Sequence, residues 1–318
     1  MIICEPGIKP KNKHLQSLLA SSKIRLLKLR NNNPVVEQEK MVFIDTRDAK
    51  LQGFYTKNKS NENLYILLHG WEGSAQSTYI QILADALYKK KKAAIFRLNF
   101  RDHGDTHHLN EELFHSCRLD EIVEAVKQIT DMYPHKSVYL CGFSLGANFS
   151  LRVAAKADDC NIRLTKVFAV SPPINPKNSM LVIEKSRIYS KYFLKKWQKS
   201  LSKKQQHFPK NFDGYQYKGI KSLEKLTKDL IVKHSDYNST DEYFKGYQIT
   251  EEILNNIKTN SHVITSWDDP VIPFNDFKLL EEKENIELVT TKHGGHCGFI
   301  NSWKMNSWIE QYIIENSE

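Results

Sequence analysis

Ser137-Val138-Tyr139-Leu140-Cys141-Gly142-Phe143-Ser144-Leu145-Gly146-Ala147-Asn148-Phe149 is the stretch on which the fold turns. Its apolar first half, with Val138 and Leu140 alternating, reads as a buried strand that breaks at Gly142. After Gly146 the pattern changes to Ala147, Phe149, Leu151, Val153, Ala154 and Ala155, which suits a helix packed on a sheet. Between them stands Gly-x-Ser-x-Gly, the pattern of a strand-to-helix elbow that presents a nucleophile. A strand turning at once into a helix forces the central residue into a strained backbone conformation. Small residues are needed two positions to either side, because the two elements nearly touch there. The strain lifts the Ser144 hydroxyl above the sheet, and the start of the helix supplies unpaired N–H donors.

Outward from the elbow, strands and helices alternate. Val35–Phe43 and Leu51–Thr56 read as an antiparallel opening pair, followed by strands at Leu64–Leu68 and Ala93–Phe100, the elbow strand, and Leu164–Val170. Helical patterns over Tyr79–Tyr88 and Leu119–Met132 lie between them. The alternation stops after Ser171-Pro172-Pro173 and resumes with a strand at His262–Trp267, a helix at Phe274–Lys283, a strand at Ile286–Thr291 and a helix at Phe299–Ile314. This spacing predicts an α/β fold with a mostly parallel twisted sheet and crossover helices. Residues 35–173 and 261–318 form the core in this reading. Residues 174–260 are a helical cap inserted after the sixth core strand, and residues 1–34 are an arm draped over the core. Insertions at the C-terminal ends of strands line the site in such folds.

A serine hydroxyl needs a neighbouring base to take its proton and an anion to orient that base. Acid candidates stand at a strand end in Asp268-Asp269-Pro270, and base candidates just past the last strand in His293-Gly294-Gly295-His296. Pro270 holds the residue before it extended, which favours Asp269 as the acid and leaves Asp268 as a turn residue. His296 is favoured over His293, which lies nearer its strand. Two backbone N–H groups would have to face a developing oxyanion. Leu145, just after Ser144, supplies one, and Trp71, in the loop after His69-Gly70, the other. Arg101-Asp102-His103-Gly104-Asp105-Thr106-His107-His108 is rich in metal-ligand residue types, but no partner set elsewhere completes a cation site. No metal and no organic cofactor is expected.

Composition limits the alternatives. With 40% hydrophobic and 26% charged residues, 318 residues can bury a sizeable core, and no apolar run is long enough for a membrane span. Five scattered cysteines without paired spacing favour a reducing, cytoplasmic location. The formal charge of +9 is concentrated: Glu184–Phe212 holds nine Lys and Arg against one acid. With no nucleic-acid-binding signature, that segment reads as a lid helix. Ile188, Tyr192, Phe193, Trp197 and Leu201 would pack inward, leaving Lys191, Lys195, Lys199 and Lys203 in solvent. The sharper expectation is peripheral contact with an anionic membrane through this basic cap. The oligomeric state is not legible.

Taken together, these motifs resemble the YheT-like branch of the α/β-hydrolase superfamily. His14-Leu15-Gln16-Ser17 resembles that branch's N-terminal signature, and His69-Gly70-Trp71-Glu72-Gly73-Ser74 its loop after the third strand. Asn99-Phe100-Arg101 is similar to its strand end, with Asp102 where glycine is usual. Gly142–Asn148, Asp268-Asp269-Pro270 and His293–Phe299 resemble its elbow, acid and histidine motifs. The resemblance implies that Ser144, Asp269 and His296 form a triad hydrolysing carboxylic esters of short or medium acyl chains. It leaves open a lipase or acyltransferase acting on monoacylglycerols or phospholipids at a membrane. A binding protein that keeps the fold without catalysis is the rival of another class.

Overall fold

The apolar runs near residues 64–68, 94–99 and 137–143 lie side by side at the centre of one sheet in a computed structural model that describes residues 1–29, 32–60, 62–211, 217 and 219–317. Phe212, which ends the basic segment, lies outside the described residues, as do 213–216 and 218 of the cap and Arg30 and Asn31 of the arm. In chain order the strands are β1 (Ile2–Cys4), β2 (Lys40–Asp45), β3 (Lys50–Thr56), β4 (Asn63–Leu68), β5 (Ala94–Asn99), β6 (Ser137–Phe143), β7 (Lys166–Val170), β8 (Ser261–Ser266) and β9 (Ile286–Thr291). They pair in the order β1-β9-β8-β7-β6-β4-β5-β3-β2. β2 and β3 are antiparallel to their neighbours, and the rest of the sheet is parallel.

Both faces of this sheet are covered, which is why its strands are apolar without a break. On β4, Leu64, Ile66 and Leu68 face α4 (Leu119–Met132) and α5 (Leu145–Lys156). Tyr65 and Leu67 point the opposite way, toward α3 (Thr78–Lys90) and α11 (Trp308–Glu315).

The cap carries α6 (Pro176–Lys185), α7 (Arg187–His207), α8 (Leu223–His234), α9 (Thr240–Gly246) and α10 (Glu251–Asn256). Each starts at a polar cap residue, in turn Asn175, Ser186, Ser222, Ser239 and Thr250, whose side chain accepts a backbone N–H of the first turn. Among the described residues no helix is long and apolar enough to cross a membrane.

Several expectations are corrected. Residues 34–37 form a helical turn, α2 (Pro34–Glu37), because Pro34 sits at its first position and Asn33 caps it. The expected strand at 35–43 therefore starts at Lys40. Residues 274–280 are 3₁₀ rather than α-helical, and the last helix begins at Trp308, not Phe299. Its start is set by a capping box between Ser307 and Glu310, readable in Ser-x-x-Glu. The arm is more than draped: β1 pairs in parallel with β9 as an edge strand, and α1 (Lys13–Ala20) packs at the site. The inward face of α7 is the expected one at Leu201, Phe193 and Trp197 and differs at its start. Tyr189, Leu194, Leu201 and Lys204 are buried, whereas Ile188 and Tyr192 are exposed.

Burial of Lys204 ties the cap to the core. Its Nζ lies 2.7 Å from Asp102 Oδ1 and also donates to the Asn110 and Glu112 carbonyls. Asp102 Oδ2 accepts the Phe114 N–H at 2.8 Å. Asp102 stands at φ +58°, a conformation that suits glycine better. Lys204→Met leaves a buried carboxylate without its cation, and we expect it to cost about 3–5 kcal/mol, read as a fall of roughly 6–15 °C in the unfolding midpoint. Adding Asp102→Gly to Lys204→Met removes the stranded charge and the backbone strain together, so the double variant should recover most of the loss. A double variant no more stable than Lys204→Met would show that the pair is not what holds this junction.

Candidate active site

β6 ends at Phe143, and Ser144 stands at φ +53°, ψ −119°, a strained conformation for a residue with a side chain. Its N–H is fixed by the Val170 carbonyl at 2.8 Å, and its own carbonyl starts α5 by accepting from Ala147 and Asn148. A Cβ at residue 142 would lie 2.2 Å from the Gly146 carbonyl oxygen, and one at 146 would lie 2.5 Å from those of Leu68 and His69. Both glycines are therefore steric requirements of the elbow.

His296 and Asp269 come to Ser144 from the loops after β9 and β8. His296 Nε2 is 3.0 Å from Ser144 Oγ, and Nδ1–H donates to Asp269 Oδ2 at 2.9 Å. Asp269 is fully buried, and its Oδ1 accepts the N–H groups of Val271 and Ile272 at 2.8 and 3.0 Å. Burial opposes charge on the imidazole, but the Asp269 carboxylate outweighs it and holds His296 well above the ordinary histidine pKa. The neighbouring pair is separate. His293 Nδ1 lies 3.2 Å from Asp268 Oδ2, and Asp268 Oδ1 takes the Gly295 N–H, so these residues brace the loop without reaching Ser144.

The loop carrying Trp71 lies against the elbow, since a Cβ on Gly70 would sit 3.2 Å from Ser144 Cβ. Two of its other donors are engaged: Gly70 N–H by Tyr79 Oη and Gly73 N–H by the Gly70 carbonyl. The N–H groups of Trp71 and Leu145 have no acceptor among the described residues. Both residues line the cavity that Ser144 faces.

Sequence reasoning missed the residues that hold this arrangement. Ser17 Oγ, on α1, accepts the His296 N–H at 2.8 Å, and Gln16 bonds the Ile300 N–H and carbonyl. The glycines around His296 make room for α1: a Cβ on Gly295 would meet the Lys13 carbonyl at 2.3 Å, and one on Gly298 the Gln16 carbonyl at 2.5 Å. The signal was present in the His14–Ser17 motif, so far from the other motifs in sequence. His69 was read only as a loop residue. It is buried and neutral, pushed well below the ordinary pKa by desolvation. Its Nδ1–H donates to the Gly70 carbonyl and its Nε2 accepts the Phe100 N–H, which fixes the Trp71 loop to β5.

The residues of the 101–108 stretch are spent on structure. Asp102 pairs with Lys204, His103 bonds the Arg101 carbonyl, and His107 bonds Ser200 Oγ. Among the described residues no three His, Cys, Asp or Glu side chains gather as a cation would require.

Two hollows meet at Ser144. A cavity of about 120 Å³ runs beneath the cap, lined by apolar side chains such as Met180, Ile183, Leu201, Leu230 and Ile231. A wider groove of about 700 Å³ opens to the surface between α1, the Trp71 loop and α7, with Ser144 and His296 on its floor. Glu72 lines both; desolvation pushes its carboxyl up to about 8, against the pull of Lys196. The arrangement offers a hydroxyl, a base with its anion, two free N–H donors, an apolar blind slot and an open channel.

A family model described as the alpha/beta hydrolase fold matches residues 64–302. YheT of Escherichia coli, which bears an esterase's name, is 23% identical over 78% of this chain and 74% of its own length. A monoacylglycerol lipase of Saccharomyces cerevisiae is 22% identical over 78% of this chain and 57% of its own. Among solved structures, the Pyrococcus furiosus esterase Pf2001 superposes with a TM-score of 0.59 and 21% identity, covering 87% of this chain and 91% of that one.

Proposed function

The chain belongs to the alpha/beta hydrolase fold family, and from that premise we propose that it is a serine hydrolase cleaving carboxylic esters of short- to medium-chain acids through an acyl-enzyme. The observation that carries the reading is the unbroken line from Asp269 through His296 to Ser144, with the apolar cavity behind it. Ser144 Oγ attacks the ester carbonyl carbon while His296 Nε2 takes its proton. The Trp71 and Leu145 N–H groups receive the charge that gathers on the carbonyl oxygen. As the tetrahedral intermediate collapses, His296 returns the proton to the departing alcohol, which leaves through the groove. Water then gives His296 a proton and attacks the acyl-enzyme, releasing the carboxylic acid and restoring Ser144. Asp269 orients the ring and balances its charge. The esterase and lipase names among the relatives support this chemistry over silent binding. All five cysteines stand as free thiols, which suits the cytoplasm.

An acyl series of p-nitrophenyl esters tests the reading. Each methylene entering the cavity should raise kcat/KM about fourfold, until the slot is full and the rate falls. Met180→Trp, which shortens the slot, should move the optimum to shorter acids without abolishing turnover. A rate indifferent to acyl length, or no turnover of any ester, would sink the proposal.

A further inference from the structure

We propose that the face formed by α1, the 3₁₀ segment Lys23–Leu29 and the first half of α7 docks on an anionic lipid bilayer, so that the groove receives acyl esters directly from it. The fate of the ester rests on the hydrolase reading; the docking does not.

Large hydrophobic side chains, two aliphatic and one aromatic, stand unburied on the rim of the groove. Leu18 is 57% exposed, Ile188 59% and Tyr192 42%, and all three line the opening. They are held together because His14 Nδ1 on α1 meets Tyr189 Oη on α7 at 3.0 Å. Ile24 and Leu27, one 3₁₀ turn apart and so on one face, are 59% and 61% exposed on the segment whose Lys23 and Leu26 also line the groove. Apolar side chains gathered in this way on a surface call for a partner.

The charges say which partner. Lys23, Lys196, Lys199 and Lys203 line the same opening. The carboxylates nearby are accounted for: Asp105 pairs with Lys203 at 3.2 Å, Asp102 is held by Lys204, and burial pushes the Glu72 carboxyl up to about 8. The rim is thus cationic with aliphatic tips between the lysines, the complement of a layer with anionic headgroups over hydrocarbon.

The position of the face favours a bilayer over a protein. A protein seated here would stopper the groove above Ser144. A bilayer seated here presents ester carbonyls at its headgroup level, opposite the groove floor. An acyl chain can then pass from hydrocarbon to the apolar cavity without crossing water, where each exposed methylene would slow transfer about fourfold.

The test uses the full chain carrying Ser144→Ala, which can bind lipid without consuming it, and co-sedimentation with vesicles. Vesicles of phosphatidylcholine and phosphatidylglycerol, at about three to one, should be bound at low salt. Binding should weaken roughly tenfold or more on pure phosphatidylcholine, in high salt, and in Lys23→Glu/Lys199→Glu. Ile24→Asp/Leu27→Asp, on the same face but off the groove lining, should abolish it, while the same substitutions with Ser144 intact leave turnover of a soluble short-chain ester unchanged. No sedimentation at low salt, or equal binding to neutral vesicles, would overturn the proposal. So would a lipid-free dimer that the Asp substitutions dissociate, since the face would then be a protein interface. Vesicle binding by a protein inactive on soluble esters would leave the docking standing and fail the hydrolase reading instead.

Discussion

Replacing Ser144 by Ala should lower ester turnover by roughly 10⁶-fold, the loss seen when the nucleophile of a serine triad is removed. What survives should exceed the uncatalysed rate by about 10³–10⁴, because the Trp71 and Leu145 donors and the apolar cavity still favour the transition state. Labelling by a fluorophosphonate probe should vanish with the activity. The fold should not suffer: the Ser144 side chain caps no helix donor, and its partner among the described residues is His296. The unfolding midpoint should stay within a few degrees of the parent. Parent-like turnover in Ser144→Ala would place the nucleophile elsewhere, whereas a collapse of the midpoint would make the lost activity uninformative.

Asp269→Asn should be the next most damaging change, about 10⁴-fold in kcat, and its signature is in the pH profile. The base must be neutral to accept the Ser144 proton, so kcat/KM falls as pH drops through the His296 pKa. Burial alone would push that pKa down, and the Asp269 carboxylate holds it well above the ordinary value. The acid limb of the parent should therefore lie above about 6.5. Removing the carboxylate charge takes away the largest influence that opposes burial, and the limb should move to lower pH as the rate falls. Asp268→Asn, which faces His293, should leave the limb in place. If Asp268→Asn moves the limb and Asp269→Asn does not, the acid has been assigned to the wrong residue.

The parts of this protein that were legible in its sequence are those whose cause is local. The elbow announces itself because Gly142 and Gly146 are steric necessities within five residues of one another. The parallel sheet follows from unbroken apolar runs at β4, β5 and β6. The loops with Asp269 and His296 could be placed at strand ends, and His296 lies beside Ser144 with Asp269 on its far side; their catalytic roles remain the proposal made above. What could not be read has distant causes. β1 is three residues long, and its place is set by β9. Lys204 faces inward beside Leu201 and meets Asp102, a pairing between cap and core that apolar spacing alone does not reveal. The 3₁₀ turn at Phe274–Leu280 carries the same apolar spacing as a short α-helix, and periodicity does not separate the two.

The bond between Ser17 and His296 spans nearly the whole chain, and it sets an order of events during synthesis. Residues 2–4 and 13–20 are made some 280 residues before their partners Val289, His296 and Ile300. At ordinary ribosomal rates about 15–60 s separate the two. In the second half of that interval, once Val170 has been made, the elbow can fold with Ser144 in place while His296 is still missing. Closure then has to bring together segments some 280 residues apart, the slowest class of contact in a folding chain. On the hydrolase reading, a nascent chain should stay inert toward esters until His296, beyond the last strand, has been made, so that activity would report completed assembly. A molecule whose core has folded but whose arm has not found β9 should be compact and silent.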